Sequence, residues 1–185
     1  IGTDGQGLIQ LYHYDSLFET VHTSHPVRCF CEDEDGNILI GTKGSGIKLL
    51  NPATKELTDY LNESKGLISN SVYALRRNKA NDIFIGTEGT GINILNAATG
   101  RLEKLEIPDK YPPFKAVYNI YFTNNDSLLW VGTSGYGLIK INISREQGRY
   151  HVKGFRQYNS SDKNISLNND VVYAITSDPE DNMLW

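Results

Sequence analysis

No stretch of this sequence is apolar for the roughly 18 residues that a membrane-spanning helix needs, and none shows helical hydrophobic periodicity for longer than a turn. The basic excess that marks a nucleic-acid-binding face is also missing. Against 22 Asp and Glu stand 18 Lys and Arg, a net charge of −4. The segment is therefore expected to carry no membrane span and to bind no nucleic acid. A signal peptide and an initiating Met are lacking at Ile1, so the chain reads as an excised or mature piece whose first residues give no cellular address. Cysteine is nearly absent, with Cys29 and Cys31 alone. On a strand these two project to one face with Cα atoms about 6.5–7 Å apart, at the edge of disulfide reach. They are expected to be two small buried thiols, the alternative being a vicinal redox pair.

Patterns of catalytic chemistry are missing as well. His13, His22, His25 and His151 fall at unrelated places, and no HExxH, CxxC or GxSxG motif occurs. The segment is expected to be non-catalytic and without a cofactor. The acidic run Glu32-Asp33-Glu34-Asp35-Gly36 has some flavour of a calcium loop. Counted from Asp33, however, the twelfth position, where such a loop needs Glu, is Gly44. A plain hairpin turn and no metal are expected. Glycine-rich segments elsewhere are followed by strand-like residues rather than a helix, which excludes a phosphate-cradling loop.

What the sequence does have is repetition. Ile1-Gly2-Thr3-Asp4-Gly5-Gln6-Gly7-Leu8 recurs as Ile40-Gly41-Thr42-Lys43-Gly44-Ser45-Gly46-Ile47, as Ile85-Gly86-Thr87-Glu88-Gly89-Thr90-Gly91-Ile92 and as Val131-Gly132-Thr133-Ser134-Gly135-Tyr136-Gly137-Leu138. The first glycines lie 39, 45 and 46 residues apart. The chain ends at Leu184-Trp185, the counterpart of Leu129-Trp130, so a fourth period of 55 residues closes the register. Its extra residues lie between Asn142 and Asn159. Periods of about 40–50 residues indicate a solenoid, a propeller or an array.

Each period reads as four short strands bounded by Gly, Asn and Asp. First strands are expected at 27–33, 71–77, 117–123 and 172–177, and second strands at 37–43, 83–87 and 128–134, with halves at 1–3 and 183–185. Third strands are expected at 8–14, 47–51, 92–96 and 138–143, and fourth strands at 18–22, 57–61, 101–107 and 152–158. Four antiparallel strands per period make a β-propeller blade, so the fold class is all-β with about four blade equivalents. The repeat boundaries fall at 1–26 (partial), 27–70, 71–116, 117–170 and 171–185 (partial). A twisted open sheet and a β-solenoid are the rivals. Aligned first strands give the columns Val27, Val72, Val117, Val172, then Arg28, Tyr73, Tyr118, Tyr173, then the small Cys29, Ala74, Asn119, Ala174. Apolar residues on both faces predict a first strand buried on both sides. Four periods could close a small ring, but membership of a larger propeller is expected.

Leu67-Ile68-Ser69-Asn70-Ser71-Val72-Tyr73-Ala74-Leu75, the run from Asn81 to Ile92, Leu167-Asn168-Asn169-Asp170-Val171-Val172-Tyr173-Ala174-Ile175 and Asp35-Gly36-Asn37-Ile38-Leu39-Ile40-Gly41-Thr42 together resemble the regulator-propeller repeat. Such repeats form periplasmic sensor regions of hybrid two-component systems of Bacteroides-type bacteria. The resemblance covers nearly the whole chain, with 147–154 its weakest part. It departs where Leu39 and Phe84 replace the tryptophan represented by Trp130 and Trp185. It implies propellers of about seven blades, an immunoglobulin-like domain, a membrane span, a histidine kinase, a receiver and a DNA-binding domain in the whole protein. It also implies a homodimer, a periplasmic address for this segment, an oligosaccharide ligand and control of polysaccharide-utilisation genes. The kinase, receiver and DNA-binding parts lie outside these residues.

The hairpin between second and third strands shares an end of the blade with the start of the first strand. This groups Arg28, Tyr73, Tyr118 and Tyr173 with Lys43, Ser45, Glu88, Thr90, Ser134 and Tyr136. Tyrosine offers a sugar an apolar face and a hydroxyl. The alternative is that these tyrosines pack between blades with their hydroxyls satisfied locally. Three readings stand: a non-catalytic glycan-sensing segment; a structural or dimerising scaffold whose ligand binds elsewhere; and a propeller polysaccharide lyase, which would need convergent acid, base or metal groups.

Overall fold

The computed structural model is all-β and describes residues 2–3, 7–11, 18–163, 166–178 and 183–185. A three-stranded antiparallel set opens the chain: β1 (Gly2–Thr3), β2 (Gly7–Leu11) and β3 (Phe18–Val21). Three complete four-stranded sheets follow. The first joins β4 (Val27–Glu32), β5 (Ile38–Thr42), β6 (Ile47–Leu50) and β7 (Leu57–Leu61). The second joins β8 (Val72–Arg77), β9 (Ile83–Thr87), β10 (Ile92–Leu95) and β11 (Leu102–Lys104), and the third β12 (Val117–Thr123), β13 (Leu128–Thr133), β14 (Leu138–Glu146) and β15 (Arg149–Tyr158). A two-stranded pair, β16 (Ser177–Asp178) and β17 (Met183–Leu184), ends the described chain. Spatial order equals chain order in every sheet, as in propeller blades, and the one helical piece among the described residues is a 3-10 turn at Glu63–Lys65.

The Gly-Thr pairs explain why the blades stack. A methyl group placed on Gly41 would lie 2.8 Å from Val72 Cγ1, on Gly86 2.5 Å from Val117 Cγ1, and on Gly132 2.6 Å from the Val172 carbonyl oxygen. Each valine opens the next blade. Space therefore demands glycine at these positions, and the vacated volume seats a branched side chain. Val72 and Val117 are fully buried there, each contributing about 1.5–3 kcal/mol by burial. The following threonine organises the hairpin. Buried Thr42 and Thr133 donate their hydroxyls to the carbonyls of Gly46 and Gly137, each at 2.8 Å, and accept the backbone N–H of Ser45 and Tyr136. Gly46 and Gly137 both have φ near +72°, which glycine adopts freely. Their N–H groups and those of Gly44 and Gly135 reach out to the carbonyls of Asn70 and Asp170 at 2.8–3.0 Å. The recurring phrase thus encodes a seat, a turn and a clip to the incoming strand of the next blade.

The strands depart from the expected pattern in four places. The most buried strands are the second and third: all of β9 and β10 is buried, because neighbouring blades cover both faces. First strands are half wet instead. Strand β4 alternates and leaves Phe30 52% exposed, and Tyr173, which precedes β16, is 73% exposed. The fourth strand expected at 101–107 shortens to β11: Leu105 N still bonds Ile92 O at 2.9 Å, then the chain leaves through a turn from Pro108 to Tyr111. The first strand expected at 172–177 is in sheet at Ser177–Asp178 alone. Most of the extra residues in the last period lengthen β14 and β15 into a hairpin whose two turn residues, Gln147 and Gly148, have φ of +50° and +81°, the signature of a type I′ turn.

That hairpin reaches the preceding blade. Asp82, fully buried, receives Tyr150 Oη at 2.7 Å and Arg145 Nη2 at 3.1 Å on Oδ2, and the N–H of Ala97 at 2.9 Å on Oδ1. Asn78 donates to Tyr150 Oη at 2.6 Å, and Asn96 donates to the Gly148 carbonyl at 3.2 Å. The Tyr150 ring meets Phe84 edge to face at 5.0 Å. A buried carboxylate is tolerated because its lone pairs are filled. Burial and the Asp82 carboxylate push the Tyr150 hydroxyl well above the ordinary tyrosine range.

Two predictions follow from this packing. Gly86→Ala should lower stability by about 1–3 kcal/mol through overpacking, and Val117→Ala in the same chain should recover part of that loss, so that the pair costs less than the two singles summed. Urea unfolding of the three variants measures the coupling, and simple additivity would contradict the seat. Tyr150→Phe should cost about 1–3 kcal/mol at neutral pH. Since the unfolded chain loses the tyrosine proton near pH 10 and the folded chain keeps it, the contribution of Tyr150 is complete below about pH 10 and declines above it. Urea midpoints between about pH 8 and 11 should therefore fall less steeply for Tyr150→Phe than for the parent chain.

Candidate functional site

The residue that follows the seated valine is extra in each complete blade. Val27 pairs with Thr42 and Cys29 with Gly41, so Arg28 has no partner. Tyr73 and Tyr118 are skipped in the same way between Val72–Thr87 and Ala74–Gly86, and between Val117–Thr133 and Asn119–Gly132. A β-bulge twists the strand and re-aims a side chain. Here it recurs once per blade at the same place. Tyr173 follows Val172, whose N–H bonds Thr133 O at 2.9 Å, and occupies the corresponding position without a sheet partner.

These four residues and Lys43 line one cleft of about 380 Å³. Its aromatic floor is a ladder: Tyr73 and Tyr118 meet edge to face at 5.0 Å, and Tyr118 and Tyr173 stack at 5.3 Å with planes 9° apart. Burial, followed by the charge of Glu88, raises the Tyr73 hydroxyl above the ordinary tyrosine range, against the opposing charge of Arg28. The hydroxyl is therefore a neutral donor at physiological pH. Lys43 is positioned through its backbone, by the Pro26 carbonyl at 2.9 Å on one side and a bridge to Ser71 on the other.

The remaining candidates lie elsewhere. Glu88 occupies the position equivalent to Lys43, with its N–H on Ser71 O, but does not line the cleft. The Tyr136 ring packs on the apolar cluster containing Ile139 and Ile141, and its carbonyl accepts Gln157 Nε2 at 2.8 Å. Ser45 Oγ bonds His25 Nδ1 at 2.5 Å. Thr90 borders a separate pocket of about 330 Å³ with Lys104, Tyr111 and Phe114. Ser134 bridges Val171.

A deeper cavity of about 560 Å³ shares Arg28, Tyr73, Tyr118 and Tyr173 with the cleft and continues along the first strands past Asn119 to Arg76, Tyr121 and Thr176. Arg76 stands over the Tyr121 ring at 5.2 Å, and Tyr121 Oη contacts Ser177 Oγ at 2.6 Å. Asn119 Oδ1 is buried with no hydrogen-bond partner among the described residues. The sequence reading did not single out these inner residues. Their signal is the column alignment itself, in which Arg76, Tyr121 and Thr176 share one position and Asn119 stands where the other repeats have Cys or Ala.

The other candidates are structural or peripheral. Asp33 Oδ1 accepts the N–H groups of Asp35 and Asn37, and its Oδ2 accepts Asn37 Nδ2, which makes this segment a turn. Among the described residues no three His, Cys, Asp or Glu side chains gather as a metal set. His22, His25 and His151 are exposed, and His13 lies outside the described residues. Cys29 and Cys31 are free thiols and half-buried rather than buried; Cys29 borders the inner cavity. Desolvation raises both thiols above the usual range, so neither is an activated nucleophile.

Comparison with known proteins agrees with this architecture. Residues 23–44 match the family described as two component regulator propeller. No curated protein matches the chain. An extracellular domain from B. thetaiotaomicron, described in one structure as part of a one component system and in another as part of a hybrid two component system, aligns with TM-scores of 0.64 and 0.63 at 19% and 18% identity. The alignment covers 99% of this chain and 29% of that one. The extracellular domain of another hybrid two component system of that organism aligns with a TM-score of 0.54 and 20% identity over 97% of this chain and 27% of its own. An inactivated virginiamycin B lyase of Staphylococcus aureus aligns with a TM-score of 0.52 at 17% identity over 76% of this chain and 46% of its own. The chain thus spans under a third of the B. thetaiotaomicron domains. Among the described residues no helix is long and apolar enough to cross a membrane.

Proposed function

We propose that this chain is a non-catalytic, ligand-responsive segment of the periplasmic part of a hybrid two-component sensor. In this reading it binds an oligosaccharide and so regulates genes for using a polysaccharide. The family match at 23–44 and the fold shared with the B. thetaiotaomicron extracellular domains support the sensor class. The observation that carries ligand binding is the convergence of four bulge-position residues, one from each of four successive repeats, on one cleft with Lys43. A ring face presented by Tyr173, which is 73% exposed, suits the C–H face of a pyranose, and the neutral tyrosine hydroxyls suit its hydroxyl groups. The remaining blades, an immunoglobulin-like domain and a second copy of the whole protein are the proposed partners through which binding would reach the kinase. A sensor of this kind must hold its ligand differently in its two signalling states.

A scaffold reading has one observation in its favour: the ring contacts of Tyr118 with both Tyr73 and Tyr173 are those of packing residues. Titration calorimetry of the chain against a panel of oligosaccharides decides between the two. Binding that falls about tenfold or more in Tyr118→Ala, as for a buried aromatic anchor, supports the sensor reading. Silence across the panel, with the fold intact by circular dichroism, would leave the scaffold.

A further inference from the structure

Asn119 is out of keeping with its column. The aligned positions of the other repeats hold Cys29, Ala74 and Ala174, so the fold asks there for a small side chain. The backbone of Asn119 pairs with Gly132, as Cys29 pairs with Gly41 and Ala74 with Gly86, so the sheet does not need the amide either. That amide borders the inner cavity of about 560 Å³. Its Oδ1 is nevertheless buried, with no hydrogen-bond partner among the described residues. A buried acceptor left unpaired destabilises a fold, and each such group calls for an explanation. The cavity supplies one. Its volume is that of a small-molecule site, and it continues inward from the cleft, sharing Tyr73, Tyr118 and Tyr173 with it.

We infer that Asn119 is a specificity-determining residue of this site: a saccharide held on the tyrosine rings extends into the cavity and donates a hydroxyl to Asn119 Oδ1. This rests on the ligand-binding role proposed for the cleft and adds the group that the inner end of the ligand must present. The terminal torsion of asparagine is broad, so a turn of the amide carries Oδ1 from its buried seat to the cavity. The new hydrogen bond is then formed without breaking one within the protein. An ether, carboxylate or sulfate at the same point has no proton to give and leaves the acceptor unpaired, which is how a site built around one hydrogen bond rejects an analogue. Empty and occupied sites differ in the setting of this side chain, a difference between states of the kind that a sensor requires.

Calorimetry of the chain with neutral disaccharides of glucose, galactose, mannose and xylose tests this, followed by the monodeoxyfluoro analogues of the tightest binder. Fluorine replaces one hydroxyl at a time and cannot donate. One analogue should bind about tenfold or more weaker than its parent sugar, a difference of about 1.4 kcal/mol. Asn119→Ala should weaken the parent sugar by a similar factor and should bind that analogue and the parent alike, since both changes remove the same hydrogen bond. Without ligand, the urea midpoint of Asn119→Ala should match or exceed that of the unaltered chain, because Ala occupies this place in the second repeat. If Asn119→Ala does not fold, Asn119→Cys, the residue of the first repeat, carries the test. A lowered midpoint with sugar binding unchanged would show a structural amide and overturn the inference. Additive losses from analogue and variant would also overturn it, while leaving a saccharide site. Binding of none of the disaccharides would overturn this inference, and silence across the whole oligosaccharide panel would overturn the ligand reading too.

Discussion

The contact between a missing side chain and a valine governs this structure. Wherever the Gly-Thr pair ends a second strand, the next blade presses its first valine into the space, and a Cβ at Gly41, Gly86 or Gly132 would collide with it. The arrangement sets how far apart successive blades sit. It also fixes where each first strand begins, because the same hairpin clips the incoming backbone through the Asn70 and Asp170 carbonyls. Hydrophobic burial supplies the larger share of cohesion. Register between blades, however, comes from this small steric fit and its hydrogen bonds.

The cleft is a by-product of that fit. With the valine seated, the strand takes up one extra residue before regaining register with its neighbour, and the bulge re-aims that residue. Stacking the blades lines up the displaced side chains. The cleft lining and the cohesion of the blades therefore occupy adjacent positions on one strand: position one holds the blades together, and position two is Arg or Tyr above the same seat. Such a division lets a repeat change its cleft-lining side chain while the scaffold stays constant.

Much of the fold was legible because its signals are local. Hairpin glycines, the four-run period and the alignment of Val27, Val72, Val117 and Val172 all lie on the surface of the text. The grouping of Arg28, Tyr73, Tyr118 and Tyr173 followed from repeat alignment alone. What escaped depends on contacts between blades. Tyr136 shares a hairpin with cleft candidates, yet it packs onto the apolar cluster, since an apolar neighbour surface was within its reach. Asp82 reads as an ordinary turn residue, and nothing near it in sequence announces Arg145 and Tyr150 as partners. Bulges are equally silent in the text, because they arise from pairing between strands and leave no composition of their own.

The hairpin of β14 and β15 bears on how the chain is made. A linear array of repeats can in principle fold unit by unit as it leaves the ribosome, each copy leaning on the one before. Here Asp82 is synthesised more than sixty residues ahead of Arg145 and Tyr150, so the second blade carries a charged group that stays unsealed until the third is complete. Vectorial synthesis thereby gains a checkpoint: the earlier unit reaches its final form when its successor closes over it, and the two behave thereafter as one cooperative body.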